Sequence, residues 1–97
     1  MTQQLHSLLT QIASHSLRPY HQGDKDFYMK SHMDILQVIK SEKCLDTIET
    51  RIIEHHKYWL QTKTIKWAFW SSERKYRCMA YEHAFEALDG VRRRNGL

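Results

Sequence analysis

Between positions 57 and 77 the chain interleaves six basic residues with six aromatic ones. Lys57, Lys63, Lys66, Arg74, Lys75 and Arg77 alternate with Tyr58, Trp59, Trp67, Phe69, Trp70 and Tyr76, and Glu73 is the only acid among them. All three tryptophans of the protein fall in this run. Aromatic rings stack on nucleobases or fill pockets on a protein partner, while Lys and Arg neutralise phosphates or meet carboxylates. A second basic group, Arg92-Arg93-Arg94, can do the same, although cations also complement the negative end of a helix dipole. The residues expected to touch a partner are therefore Lys57, Tyr58, Lys63, Lys66, Trp67, Trp70, Arg74, Lys75, Arg77 and Arg92–Arg94.

Other chemistries find less support. Cys44, His55 or His56, Cys78 and His83 are a conceivable metal set, but the chain has no Cys-x-x-Cys and no closely paired ligands, so no metal is expected. A glycine-rich phosphate loop, a Gly-x-Ser-x-Gly elbow and His-Glu-x-x-His are all missing, and no catalytic residue or cofactor is expected. Cys78 and His83 stand five apart, about 140° around a helix, and do not face each other. His32, His56 and His83 read as half-buried helix residues without an orienting acid.

The surrounding composition is that of one ordinary globular domain of 97 residues, 41% hydrophobic and 27% charged. Its net charge of +4 is uneven. Residues 1–50 carry five cations against six acids, and residues 51–97 carry ten against five. The bias points to an acidic protein surface or nucleic acid as partner. Two cysteines are too few for a disulfide framework, and Met1–Leu17 lacks the basic start of a secretory signal. A reduced, cytoplasmic protein without a membrane segment is the expectation; its oligomeric state is not legible. Small basic domains rich in aromatics resemble phage proteins that seize host enzymes, an analogy of composition that rests on no motif.

Four helices are expected to hold these residues. Leu5, Leu8, Leu9, Ile12, Ala13 and Leu17 share one helical face that ends before Pro19. A mobile loop follows over 18–25, from which Asp24 or Asp26 caps a second helix with Tyr28, His32, Ile35, Leu36 and Ile39 inward. Ser41 offers a cap for a third helix, with Leu45, Ile48, Ile52, His56, Trp59 and Leu60 on its seam. Tyr76, Ala80, Ala84, Ala87, Leu88 and Val91 mark a fourth, ended by Gly90 as a left-handed cap, before a frayed basic tail 92–97. Both cysteines sit beside these core stripes and read as small hydrophobes.

Residues 64–70 alternate as a short extended segment would. Trp67 would then join Ile65 and Phe69 toward the core, and Trp70 would join Lys66 outside. The competing arrangement is an α+β fold with a hairpin over 64–81. The fold class expected is mainly α. The function expected is a non-enzymatic adaptor or inhibitor docking a larger protein, a nucleic-acid-processing enzyme being one candidate, through the basic-aromatic surface; the alternative is direct binding of DNA or RNA.

Overall fold

The chain folds as four α-helices, described here by a computed structural model for residues 1–61 and 68–97, with side chains for all of these except 68–71. They are α1 (Thr2–Ser16), α2 (Gln22–Ser41), α3 (Leu45–Gln61) and α4 (Ala68–Arg94). No strand occurs among the described residues. Residues 75–81 are helical, which overturns the hairpin alternative. Ala68, Phe69 and Trp70 already belong to α4, so the extended segment does not reach them; Lys63, Lys66 and Trp67 lie outside the described residues, as does the side chain of Trp70.

α4 is the axis of the fold. Its 27 residues rise about 40 Å, close to the 44 Å long dimension of the molecule. The other three helices all pack on it, α2 most extensively. Tyr76, Cys78, Ala80, Tyr81, Ala84, Ala87, Leu88 and Val91 are all buried, with Met79 and Phe85 partly so. A helix covered on several sides needs more than one apolar stripe. The alanines let its neighbours approach closely.

α1 runs antiparallel to α4. Asn95 hydrogen-bonds Gln4, and Leu8 sits over Gly90. A Cβ on Gly90 would meet Leu8 Cδ2 at 3.0 Å, so this glycine serves the helix contact and does not end the helix. The left-handed residue is Gly96, at φ 72°. The Leu97 amide donates to the Arg92 carbonyl at 2.8 Å and the Gly96 amide to Arg93 at 3.2 Å, the paired bonds of a Schellman motif. Arg92, Arg93 and Arg94 are thus the last turn of α4 and not a frayed tail.

The first connection is shorter than 18–25. α2 starts at Gln22, and the Lys25 amide donates to the carbonyl of His21, the capping residue, which makes no side-chain cap. Asp24 is instead a first-turn acid, favourable to the helix dipole. Tyr20 docks its ring edge-on to Tyr76 at 5.2 Å, which ties the connection to α4 instead of leaving it loose. Ser41 likewise ends α2 and caps nothing after it, its hydroxyl donating back to Gln37 O at 2.9 Å.

Candidate interaction surface

The polar groups divide into those the fold uses internally and those it leaves outside. Arg77 belongs to the first kind. Its side chain is 14% exposed. Nε donates to Ser31 Oγ at 2.9 Å, Nη2 to Asp34 Oδ2 at 3.3 Å, and Nη1 lies 3.6 Å from Glu73 Oε2. The guanidinium also covers the Trp59 ring at 4.1 Å from its centroid. One side chain thereby joins α2, α3 and α4 through a planar cation–π contact and charge-assisted hydrogen bonds. Trp59 is partly buried against the core beneath it.

Arg92 has the same character. It donates to Asp46 Oδ1 at 2.7 Å and to Glu49 Oε2 at 2.9 Å, fixing the start of α3 to the end of α4. These bonds, that to Glu49 foremost, raise its already high pKa. Sequence placed both arginines among the partner-binding residues; the structure places each in an ion pair with acids more than forty residues away.

The outward set is smaller. Lys57, Tyr58 and Leu60 are exposed near the end of α3, Tyr58 by 66% and Leu60 by 52%. Leu60, expected on the inward seam, instead lines an open groove of about 390 Å³ with Arg74, Lys75, Cys78, Met79 and Glu82. Tyr58 presents its ring to the edge of Trp59 at 5.5 Å. Lys75 lies over the Tyr76 ring at 5.4 Å. Leu60 near the end of α3 and the N-terminal part of α4 thus share a groove where apolar surface is flanked by cations, while Tyr58, about 160° around α3 from Leu60, stands on another side of that helix. Arg93 and Arg94 are also exposed, but they lie about 28 Å along α4 from Arg74 and Lys75 and line a different groove with Leu8, Ile12 and Glu86. The two basic groups are not one surface.

Sequence reading missed a buried aromatic-histidine layer. Tyr28 is fully buried and shares a 2.8 Å hydrogen bond with His83 Nδ1. Burial, and next to it the Glu86 charge, pushes the Tyr28 phenol far above its ordinary range, so the hydroxyl keeps its proton and shares this bond with the His83 ring. His32 stacks on Tyr28 at 5.9 Å, is 4% exposed, and its Nδ1 has no hydrogen-bond partner among the described residues. His56 packs against Tyr81 and Phe85. Its Nε2 is 3.9 Å from Glu82, too long for a hydrogen bond. Tyr81 is buried, with its hydroxyl close to the Arg77–Ser31 bond. Isolated aromatic and histidine positions gave no sequence signal that they would meet.

The cysteines part company. Cys78 is buried in α4, and burial raises its thiol pKa. Cys44 is exposed just ahead of α3, where its carbonyl accepts from the Ile48 amide. Backbone amides of Thr47, then Asp46, hydrogen-bond its sulfur and lower its pKa, as helix N-termini do for thiols. An aromatic disulfide reagent at neutral pH is expected to modify Cys44 rapidly and Cys78 only on unfolding. Cys44→Ser should abolish the fast phase; two equal fast phases would contradict the burial of Cys78. Among the described residues no three His, Cys, Asp or Glu side chains converge in a metal-binding group. Among them, too, no helix is long and apolar enough to cross a membrane.

Comparison of the chain with family models, with curated proteins and with solved structures finds no match.

Proposed function

We propose that this protein is a non-enzymatic adaptor or inhibitor that docks an acidic face of a larger protein through the α3–α4 surface. The observation that carries the reading is the groove that exposed Leu60 lines with Arg74, Lys75 and Met79, close in sequence to exposed Lys57 and Tyr58 on the last turns of α3. Large apolar side chains at the centre of a patch, with cations around them, are the composition of interface hot spots and their rims. A cytoplasmic setting and a partner that itself handles nucleic acid remain part of this proposal.

Direct binding of nucleic acid is the second reading. It draws on the same cations and on the exposed Tyr58 ring, which a base can stack upon. Exposed Glu82, Glu86 and Asp89 weigh against it by diluting the positive field along α4. Salt separates the two, since phosphate contacts lose affinity steeply with ionic strength while an aromatic anchor in a protein pocket loses little.

The test is affinity capture from the native host, with and without nuclease, using wild type and Tyr58→Ala. A partner should remain after nuclease, and Tyr58→Ala should weaken its binding by about thirtyfold, the effect of losing a hot spot worth about 2 kcal/mol. The melting temperature should hardly change, because the ring is mostly exposed. Loss of all bound protein on nuclease treatment would favour nucleic acid. Retention unchanged by Tyr58→Ala would place the contact elsewhere.

A further inference from the structure

A separate groove of about 470 Å³ runs between the start of α1 and the end of α2 and shares no lining residue with the α3–α4 groove. Met33 and Leu36 are apolar in its lining, and Met33 is 58% exposed. Met29, one helical turn earlier, is 37% exposed and extends the apolar stripe along the outer face of α2. Methionines on an open helix face form an adaptable surface for apolar side chains.

Charge decides what fits there. Lys40 and Lys43 stand at the rim and make no ion pair among the described residues. The one acid in the lining, Glu42, is held by Arg51 at 2.9 Å. Asp34, on the same helix, is turned to Arg77. The acids that would neutralise the groove are thus consumed by the fold, and its rim stays positive. Two copies joined face to face here would set like charges against each other, which disfavours a symmetric dimer. The lining holds no Phe, Tyr or Trp, so it offers no stacking platform of the kind single-stranded nucleic acid uses.

We propose that this groove is a second docking site, and that it takes an acidic amphipathic helix of a partner protein. Leucine-like side chains at positions i, i+3 or i+4, and i+7 would lie along Met29, Met33 and Leu36, with carboxylates toward Lys40 and Lys43. With the α3–α4 surface this gives the domain two distinct faces, as a bridging adaptor needs. The inference stands independently of that other surface, because it rests on different residues.

The test uses the full chain labelled at its methionine methyl groups and a synthetic helical peptide with leucines at that spacing and glutamates between them. The methyl signals of Met33 and Met29 should shift on titration while that of Met79, in the α3–α4 groove, stays in place. Met33→Glu should weaken binding at least tenfold, and Lys40→Glu with Lys43→Glu should do so while flattening the salt dependence. Both variants alter exposed positions and should keep the wild-type melting temperature; a variant that melts early is replaced by Met33→Gln, for which the same loss is expected. No shift up to about 1 mM peptide, shifts at Met79 in place of Met33, equal binding of the scrambled or lysine-substituted peptide, or self-association through Met33 would each overturn the proposal.

Discussion

Arg77→Ala is expected to destabilise the protein by roughly 2–3 kcal/mol, a large part of the stability of a domain this size. The reasoning starts from the number of groups that lose a partner at once. Ser31 Oγ is fully buried and accepts the Arg77 Nε proton, so truncation removes the donor held at that buried oxygen. Glu73 loses its nearest cation, and the Trp59 ring loses the plane that covers it. Asp34 is half exposed and recovers water, so its share is small. A loss of this size should lower the melting temperature by roughly 10 °C or more. Arg77→Lys should recover only part of it, because an ammonium cannot fork between Ser31 and two carboxylates while also covering an indole. Lys75→Ala, two residues earlier and exposed, should change stability by no more than about 0.5 kcal/mol. Thermal melts of the three variants decide the matter. If Arg77→Ala melts with Lys75→Ala, the guanidinium is a surface cation after all.

That contrast shows where the sequence was legible. Apolar spacing located the helices because burial imposes a 3.6-residue period. Leu5, Leu9 and Ala13 on α1, and Ala80, Ala84, Leu88 and Val91 on α4, are buried as their spacing predicts. The same logic missed Tyr81, because α4 is covered on more than one side and a single stripe cannot describe it; Cys78 is buried as a small hydrophobe, whereas Cys44, read the same way, is exposed. Leu60 failed for the opposite reason: the seam of α3 runs out before the helix does, and its last turn stands exposed.

Glycine and serine signals identified kinds of cap but not positions. A left-handed cap does end α4, at Gly96, because at Gly90 the approach of Leu8 already accounts for the missing side chain. Cationic residues were the least legible. Whether Arg77 or Arg92 faces a partner or an internal carboxylate depends on acids brought near by folding, and neither local spacing nor composition carries that information. Of the residues expected to touch a partner, Lys57, Tyr58 and Lys75 are exposed and Arg74 lines the α3–α4 groove, while Arg77 and Arg92 pair with acids on other helices. The reading of Lys63, Lys66, Trp67 and Trp70 rests on sequence alone.

Acidification from pH 7.5 to 5.5 is expected to weaken the fold, mostly below about pH 6.5, through His32 and His83. Burial lowers the pKa of each. For His32 a second cause acts in the same direction, the nearby His6 of α1. For His83, Glu86 and Glu82 act the other way but do not outweigh burial. Both imidazoles therefore hold protons less readily in the folded chain than in the unfolded one, where histidine titrates near 6.5. Over that window the unfolded state binds more protons, so stability rises with pH. Their contribution is complete above about pH 6.5 and is lost as pH falls below it toward the depressed folded values. The slope is at most about 1.4 kcal/mol per pH unit for each histidine.

The geometry explains the penalty. A proton on His32 Nδ1 would find no acceptor, since that atom is buried without a partner among the described residues. A second proton on His83 would put a charge on a half-buried ring packed against Tyr28. Urea denaturation at pH 7.5, 6.5 and 5.5 measures the effect. His32→Leu removes a buried polar atom that the fold does not satisfy, so it should cost little at pH 7.5 and reduce the slope. His83→Gln keeps an acceptor for Tyr28 and should remove the other part. If wild type and the double variant show the same pH dependence across this window, the acid sensitivity does not reside in the Tyr28 layer.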